Sequence, residues 1–190
     1  MCLALPSHRS RGDNAKGKYA DELRGLIRDY NNDPHPPVIG YSDGHAEVAN
    51  GCMKIGVGYV ITIHGKPVAA SSRAIGHKAS IYDAEMLAIA QCLTKTARIA
   101  SANNATNIRI YSDNSAAIQT FWDLKRHAAQ FAPVIFRRAP DPFLDGHPER
   151  RVHIAWIPGH KGFKGNEMAD KLAKGGANVP PTPIFNRTVT

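Results

Sequence analysis

Two copies of one short pattern carry the most chemistry in this chain: Gly40-Tyr41-Ser42-Asp43 and Ile110-Tyr111-Ser112-Asp113. Each acid follows an apolar run and precedes turn or cap residues. Each is therefore expected where a strand ends and points into a crevice of an open α/β sheet. If the two strands pair in parallel, they lie about 4.8 Å apart. Carboxylates that close repel one another unless a proton or a cation sits between them. At neutral pH a hard divalent cation such as Mg²⁺ meets that demand. Glu85 and Asp170 extend the set to four acids. Glu85 is expected in the first turn of a helix, one turn before Ile89 and two before Cys92. That direction faces a core, where a charge needs a cationic partner. Asp170, beside Met168 and Leu172, is expected at the edge of the buried face of a last helix.

The elements that must position these acids follow from periodicity. Apolar residues at Leu23, Leu26, Ile27 and Tyr30 predict a helix over 18–30, stopped by Asn31-Asn32-Asp33-Pro34. Strands are expected over 38–42, 55–63 and 66–75, with Gly65 at a hairpin turn between the last two. Met86, Ile89, Ala90, Leu93 and Ala97 share one face of a helix over 83–100. A fourth strand is expected over 107–112, helices over 114–122 and 124–136, and a Pro- and Asp-rich loop over 139–146. A fifth strand over 151–157 and a helix over 165–174 complete the series. Three strands joined by short turns, then strands alternating with helices, predict an α/β fold: a five-stranded mixed sheet, antiparallel then parallel, flanked by helices. The domain is expected over 37–177. Residues 1–36 form an extension with a short helix, and 178–190 a disordered, proline-containing tail.

The chain has 190 residues, a formal net charge of +8 and a sequence pI of about 9.6, which favour a polyanionic partner such as nucleic acid. Three widely spaced cysteines, Cys2, Cys52 and Cys92, argue against a disulfide framework and against a zinc site. With no signal-peptide pattern and no run of membrane-spanning length, the expected compartment is intracellular, nucleus or cytoplasm, and no membrane partner is expected. A monomer is expected.

The richest stretch runs from Trp156 to Asp170 and contains Gly159-His160, Gly165-Asn166-Glu167 and Ala169-Asp170. It resembles the C-terminal signature of type 1 ribonuclease H, in the form carried by reverse-transcribing elements. Tyr41-Ser42-Asp43-Gly44, Asp83-Ala84-Glu85 and Tyr111-Ser112-Asp113-Asn114-Ser115 resemble the other motifs of that family, in order. The resemblance covers 37–177. It implies a ribonuclease H-like fold with the first and fourth strands adjacent and parallel. It implies that Asp43, Glu85, Asp113 and Asp170 bind two Mg²⁺ or Mn²⁺ ions. The implied reaction is hydrolysis of the RNA strand of an RNA–DNA hybrid, leaving 5′-phosphate and 3′-hydroxyl ends. A lone acid is usually a turn or surface carboxylate; four in matching motifs are not read that way. His160, in a Gly-flanked loop, is implied to serve proton transfer or product release rather than metal ligation.

Substrate contacts are expected from short polar residues near the acids, since RNA is distinguished by its 2′-hydroxyl in a wide minor groove. Ser42, Gly44, Ser80, Asn114 and Ser115 are the candidates. Phe121 and Trp122 are candidates for packing on DNA sugars, with a core role as the alternative. Lys161, Lys125, Arg126, Arg137, Arg138, Arg150, Arg151 and Lys164 are candidates for phosphate. The segment before Arg151 is too short for the basic-handle helix of some cellular relatives. That leans toward the module of a non-LTR retrotransposon, with a reverse transcriptase polymerase domain in the same polyprotein. Two alternatives stay open: a catalytically silent hybrid-binding module of the same fold, and a DNA-acting nuclease of the wider superfamily.

Overall fold

A computed structural model describes residues 13–76, 79–121 and 131–180. Its centre is a five-stranded sheet in the order β3-β2-β1-β4-β5. β1 (Val38–Ala49), β2 (Cys52–Ile63) and β3 (Lys66–Ala74) form an antiparallel meander. β4 (Asn107–Ser112) runs parallel to β1, and β5 (Arg151–Trp156) parallel to β4. The expected mixed sheet, with the first and fourth strands adjacent and parallel, is the observed one.

Two turns set the meander. Asn50-Gly51 and His64-Gly65 join the strands as two-residue loops, and all four residues have positive φ, from 50° to 75°. That geometry matches the twist of antiparallel strands. The first turn explains the main difference from expectation. β1 does not stop at 42 but runs seven residues further, paired only with β2, so Asp43 lies inside a strand rather than at its end.

Helices cover both faces. α2 (Ile81–Ala102) begins two residues before its expected start, because Ser80 and Asp83 close a capping box. Its apolar stripe, with Met86, Ile89 and Leu93 fully buried, packs on Val38, Ile61, Ile108 and Ile110. α6 (Lys164–Ala177) covers the opposite face. α1 (Asp13–Asn32) joins it there through Ala20 and Leu23, which are 1% and 5% exposed. The helix expected over 18–30 is thus longer and docked on the sheet. α3 (Ser115–Thr120), α4 (Phe131–Arg138) and α5 (Asp141–Leu144) close the α2 side. α5 replaces part of the expected loop, with a proline tolerated in its first turn. The helix expected over 124–136 lies partly outside the described residues, as do Trp122, Lys125 and Arg126. Among the described residues, no helix is long and apolar enough to cross a membrane.

Candidate metal centre

The duplicated motifs meet in register. Tyr41 pairs with Tyr111 and Ser42 with Ser112, so the next residues on the two strands are Asp43 and Asp113. The tyrosine rings stack at 5.6 Å on the α6 side, while β1 continues and β4 ends. The acids therefore stand where the two strands part. Glu85 enters from α2, in its second turn rather than the expected first, because the cap lies at Ser80. Asp170 enters from α6. A cavity of about 240 Å³ is lined by Asp43, Gly44, Glu85, Asp113, His160, Asn166, Glu167 and Asp170.

Small residues bring the two helices in. A Cβ on Gly44 would stand 2.6 Å from the Glu85 nitrogen, so only glycine lets α2 seat its acid against β1. On the other face, a Cβ on Gly56 or Gly58 would overlap the α6 backbone at Ala169, Ala173 and Ala177. Gly58 is the cross-strand partner of Asp43, and the Ala169 carbonyl lies over it. The residue after Ala169 is Asp170, which this approach carries to Asp43.

One carboxylate oxygen from each of Asp43, Glu85 and Asp113 lies within 4.8 Å of the others. Asp43 and Glu85 are buried, 7% and 6% exposed. Burial, then the neighbouring acids Asp113 and Asp170, push Asp43 from its ordinary 3.8 up to about 7. Burial, then Asp43 and Asp113, push Glu85 from 4.5 up to about 8, against the pull of Asn114 and the Gly44 N–H. Asp170 stands on the flank of this trio, close enough to raise Asp43. It also accepts from Lys174 Nζ at 2.7 Å.

These residues fit a metal. The donor set is all oxygen, which suits a hard cation. Glu85 Oε2 is buried with no hydrogen-bond partner among the described residues, a cost a cation would remove. Two residues not expected at the site support it. Asn166, 4% exposed, donates from Nδ2 to Asp113 Oδ2 at 3.2 Å, and its Oδ1 is buried without a partner among the described residues. Glu167 lines the rim. The Gly-Asn-Glu motif was the available signal for both. Gly159 leaves room for Asp113, since a Cβ there would lie 2.7 Å from its Oδ2. Trp156 Nε1 donates to the Asp113 carbonyl at 2.8 Å.

His160 sits exposed on the cavity rim with φ 55°, a left-handed backbone that costs a non-glycine residue about 1–2 kcal/mol. Lys161 is exposed beside it. The expected groove residues divide. Asn114 caps α3 by accepting from the Ala117 N–H at 2.9 Å, and it lies near enough to Glu85 to lower its pKa. Ser115 is exposed at the start of α3, and Ser80 is exposed but its hydroxyl is engaged with Asp83. Ser42 is fully buried, so its hydroxyl cannot meet a duplex. Phe121 is a core anchor, 1% exposed and stacked on Phe136 at 3.9 Å, not a contact for sugar. Arg150 and Arg151 stand at the start of β5, the opposite end of the parallel strands from Asp113, and donate to backbone carbonyls there.

The RNase H family model matches residues 35–178. Among solved structures, the chain is similar to an N-terminal RNase H domain from Mycobacterium tuberculosis, at 21% identity and a TM-score of 0.53, covering 74% of this chain and 100% of that one. It is similar to LC11-RNase H1, solved in complex with an RNA/DNA hybrid, at 18% identity and 0.52, covering 73% and 97%. It is also similar to the protease-reverse transcriptase of prototype foamy virus, at 16% identity and 0.52, covering 75% of this chain and 21% of that one. These likenesses show a shared fold. Among curated proteins, none matches the sequence.

Proposed function

This chain belongs to the RNase H family, and from that premise we propose that it hydrolyses the RNA strand of RNA–DNA hybrids, leaving 5′-phosphate and 3′-hydroxyl ends. The observation that carries the reading is the carboxylate trio, two of its members buried, with oxygens within 4.8 Å of one another and one of them unpartnered among the described residues.

Asp43, Glu85, Asp113 and Asp170 would hold two Mg²⁺ or Mn²⁺ ions, which when bound supply charge neutralisation at phosphorus and a nucleophile at neutral pH. The chain's own contribution is order and charge. Asp43 sits between helices from opposite faces and shares the site with all three other acids. Asn166 fixes Asp113, so this carboxylate is aimed before a substrate arrives, and Asn114 beside Glu85 favours its charged form. His160 stands on the rim, free to meet a phosphate oxygen and to hand over or accept a proton as product leaves. The net charge of +8 favours a polyanion, and Lys161 stands exposed beside His160 on the rim. The likeness to a foamy virus reverse transcriptase supports a further part of the reading: the chain is the RNase H module of a reverse-transcribing element.

The test is cleavage of one labelled RNA strand, presented single-stranded, in an RNA–RNA duplex and in an RNA–DNA hybrid, with Mg²⁺ or with chelator. Metal-dependent cutting confined to the hybrid is the expected result. Tight hybrid binding without cutting would instead identify a silent module of the same fold.

A further inference from the structure

α1 precedes the stretch matched by the RNase H family, which begins at residue 35. It is nevertheless wired to the candidate site at three points. Arg24 Nη1 donates to the Lys161 carbonyl at 2.7 Å, and its guanidinium lies 5.5 Å from the centre of the Phe163 ring. Arg24 also pairs with Asp21 one turn earlier, at 2.6 Å, which holds the guanidinium in place. Tyr19 stacks on Trp156 at 5.7 Å and donates its hydroxyl to the Trp156 carbonyl at 2.9 Å. Trp156 in turn donates to the Asp113 carbonyl.

These contacts bracket one segment. Trp156 ends β5, Phe163 precedes α6, and His160 stands between them in a left-handed conformation. A strained non-glycine residue persists where its surroundings over-determine it. Gly159 and Gly162, on either side, supply freedom rather than restraint. Asp113 packs against Gly159 on one side of His160, and on the other the described hydrogen bond that reaches Lys161 from another element is the one from Arg24.

We propose that α1 is a positioning element for the His160 loop, with Arg24 as the positioning residue that holds His160 at the cavity rim and so sets the rate of turnover. The proposal rests on the hydrolase reading for its kinetic part and on geometry alone for its structural part. Arg24 touches no acid of the centre, so it does not act on the bond-breaking step directly. Its loss leaves the carboxylates in place and frees the loop. Lysine at this position keeps the charge but lacks the planar fork that reaches a carbonyl while lying over a ring.

The experiment compares the full chain with Arg24→Ala, Arg24→Lys and Arg28→Ala. Arg28 is a control on the same helix, 76% exposed and paired only loosely with Asp29 at 3.9 Å. Amide hydrogen exchange over residues 158–163 needs no activity. Arg24→Ala should speed it by about tenfold, Arg24→Lys should restore part of the protection, and Arg28→Ala should change nothing. Unchanged exchange in Arg24→Ala overturns the clamp. Hybrid cleavage then tests its purpose. Multiple-turnover kcat should fall about threefold to tenfold in Arg24→Ala, with KM and the single-turnover rate nearly unchanged. Combined with His160→Ala, the Arg24→Ala change should add little further loss. Additive losses, or wild-type turnover with a freed loop, would overturn the link to His160. If the unaltered chain cuts no hybrid, the hydrolase reading fails, and the exchange result still decides the clamp.

Discussion

The two faces of the sheet are built on opposite terms. On one, α2 packs its own Met86, Ile89 and Leu93 on Ile108 and Ile110, so side-chain bulk sets its distance from the sheet everywhere but at Gly44, where its backbone seats Glu85. On the other, α6 rests on Gly56 and Gly58 through alanines, and its distance is set by the absence of side chains. Both helices deliver an acid to the same point, Glu85 from the first and Asp170 from the second. A bulky interface can repack around a change, whereas backbone-on-backbone contact has nothing to repack. The α6 face therefore has the less room to adjust, and the α2 face, away from Gly44, is the one that can repack.

The largest effect should come from Asp113, one of the two acids that belong to neither face. Asp113→Asn keeps the shape of the site but removes a charge, and cleavage should fall by roughly a thousandfold with hybrid affinity nearly intact. Retained cleavage in a gel assay would remove Asp113 from the centre. Next comes Gly58→Ala. The added methyl must displace α6, carrying Asp170 away from Asp43, and kcat should drop about 100-fold while circular dichroism still reports the fold. Near-normal activity would show that the glycine seat does not set the position of Asp170.

The third effect is on stability in metal-free protein. Asp43 and Glu85, at about 7 and about 8 when folded, lie above their ordinary 3.8 and 4.5. Groups raised in this way add stability that is complete below the unfolded values and lost as pH rises through the folded ones. The thermal midpoint in chelator should thus fall by roughly 5 °C between about pH 5.5 and pH 8.5. Glu85→Gln should flatten that fall, and a divalent cation should reverse it. A midpoint indifferent to both would mean that the acids carry no such strain. The smallest effect on turnover should follow Leu93→Ala on the α2 face. It should cost about 2–5 kcal/mol of stability, read by denaturant unfolding, yet leave kcat of the folded protein within about twofold of the original. A loss to match Gly58→Ala would erase the contrast between the faces.

Much of this was legible in the residues. The four acids and the elements that carry them follow from periodicity and motif spacing, and the parallel pairing of the Tyr-Ser-Asp strands was what the family resemblance implied. What escaped was whatever depends on distance across the fold. Gly58 becomes important only once β1 and β2 are in register, which places it opposite Asp43. Ser42 and Phe121 look available in sequence, but helices on both faces of β1 and packing behind α3 bury them. The length of β1 was readable from Asn50-Gly51, a strong hairpin signal, although the polar run before it suggested that the strand had ended. The docking of α1 was hidden for another reason. Its anchors, Tyr19 and Arg24, read as ordinary amphipathic positions until their partners near His160 are seen.

The centre draws its first acid from β1 and its last from α6, the final helix of the described chain. Such contacts between distant parts of a sequence form late in folding. A growing polypeptide that has not yet made α6 can pair its strands and seat α2, but it lacks the fourth carboxylate. If the chain has the proposed activity, the capacity to cut RNA–DNA hybrids would then arrive in one step with the completed core, and a half-made molecule would leave them whole.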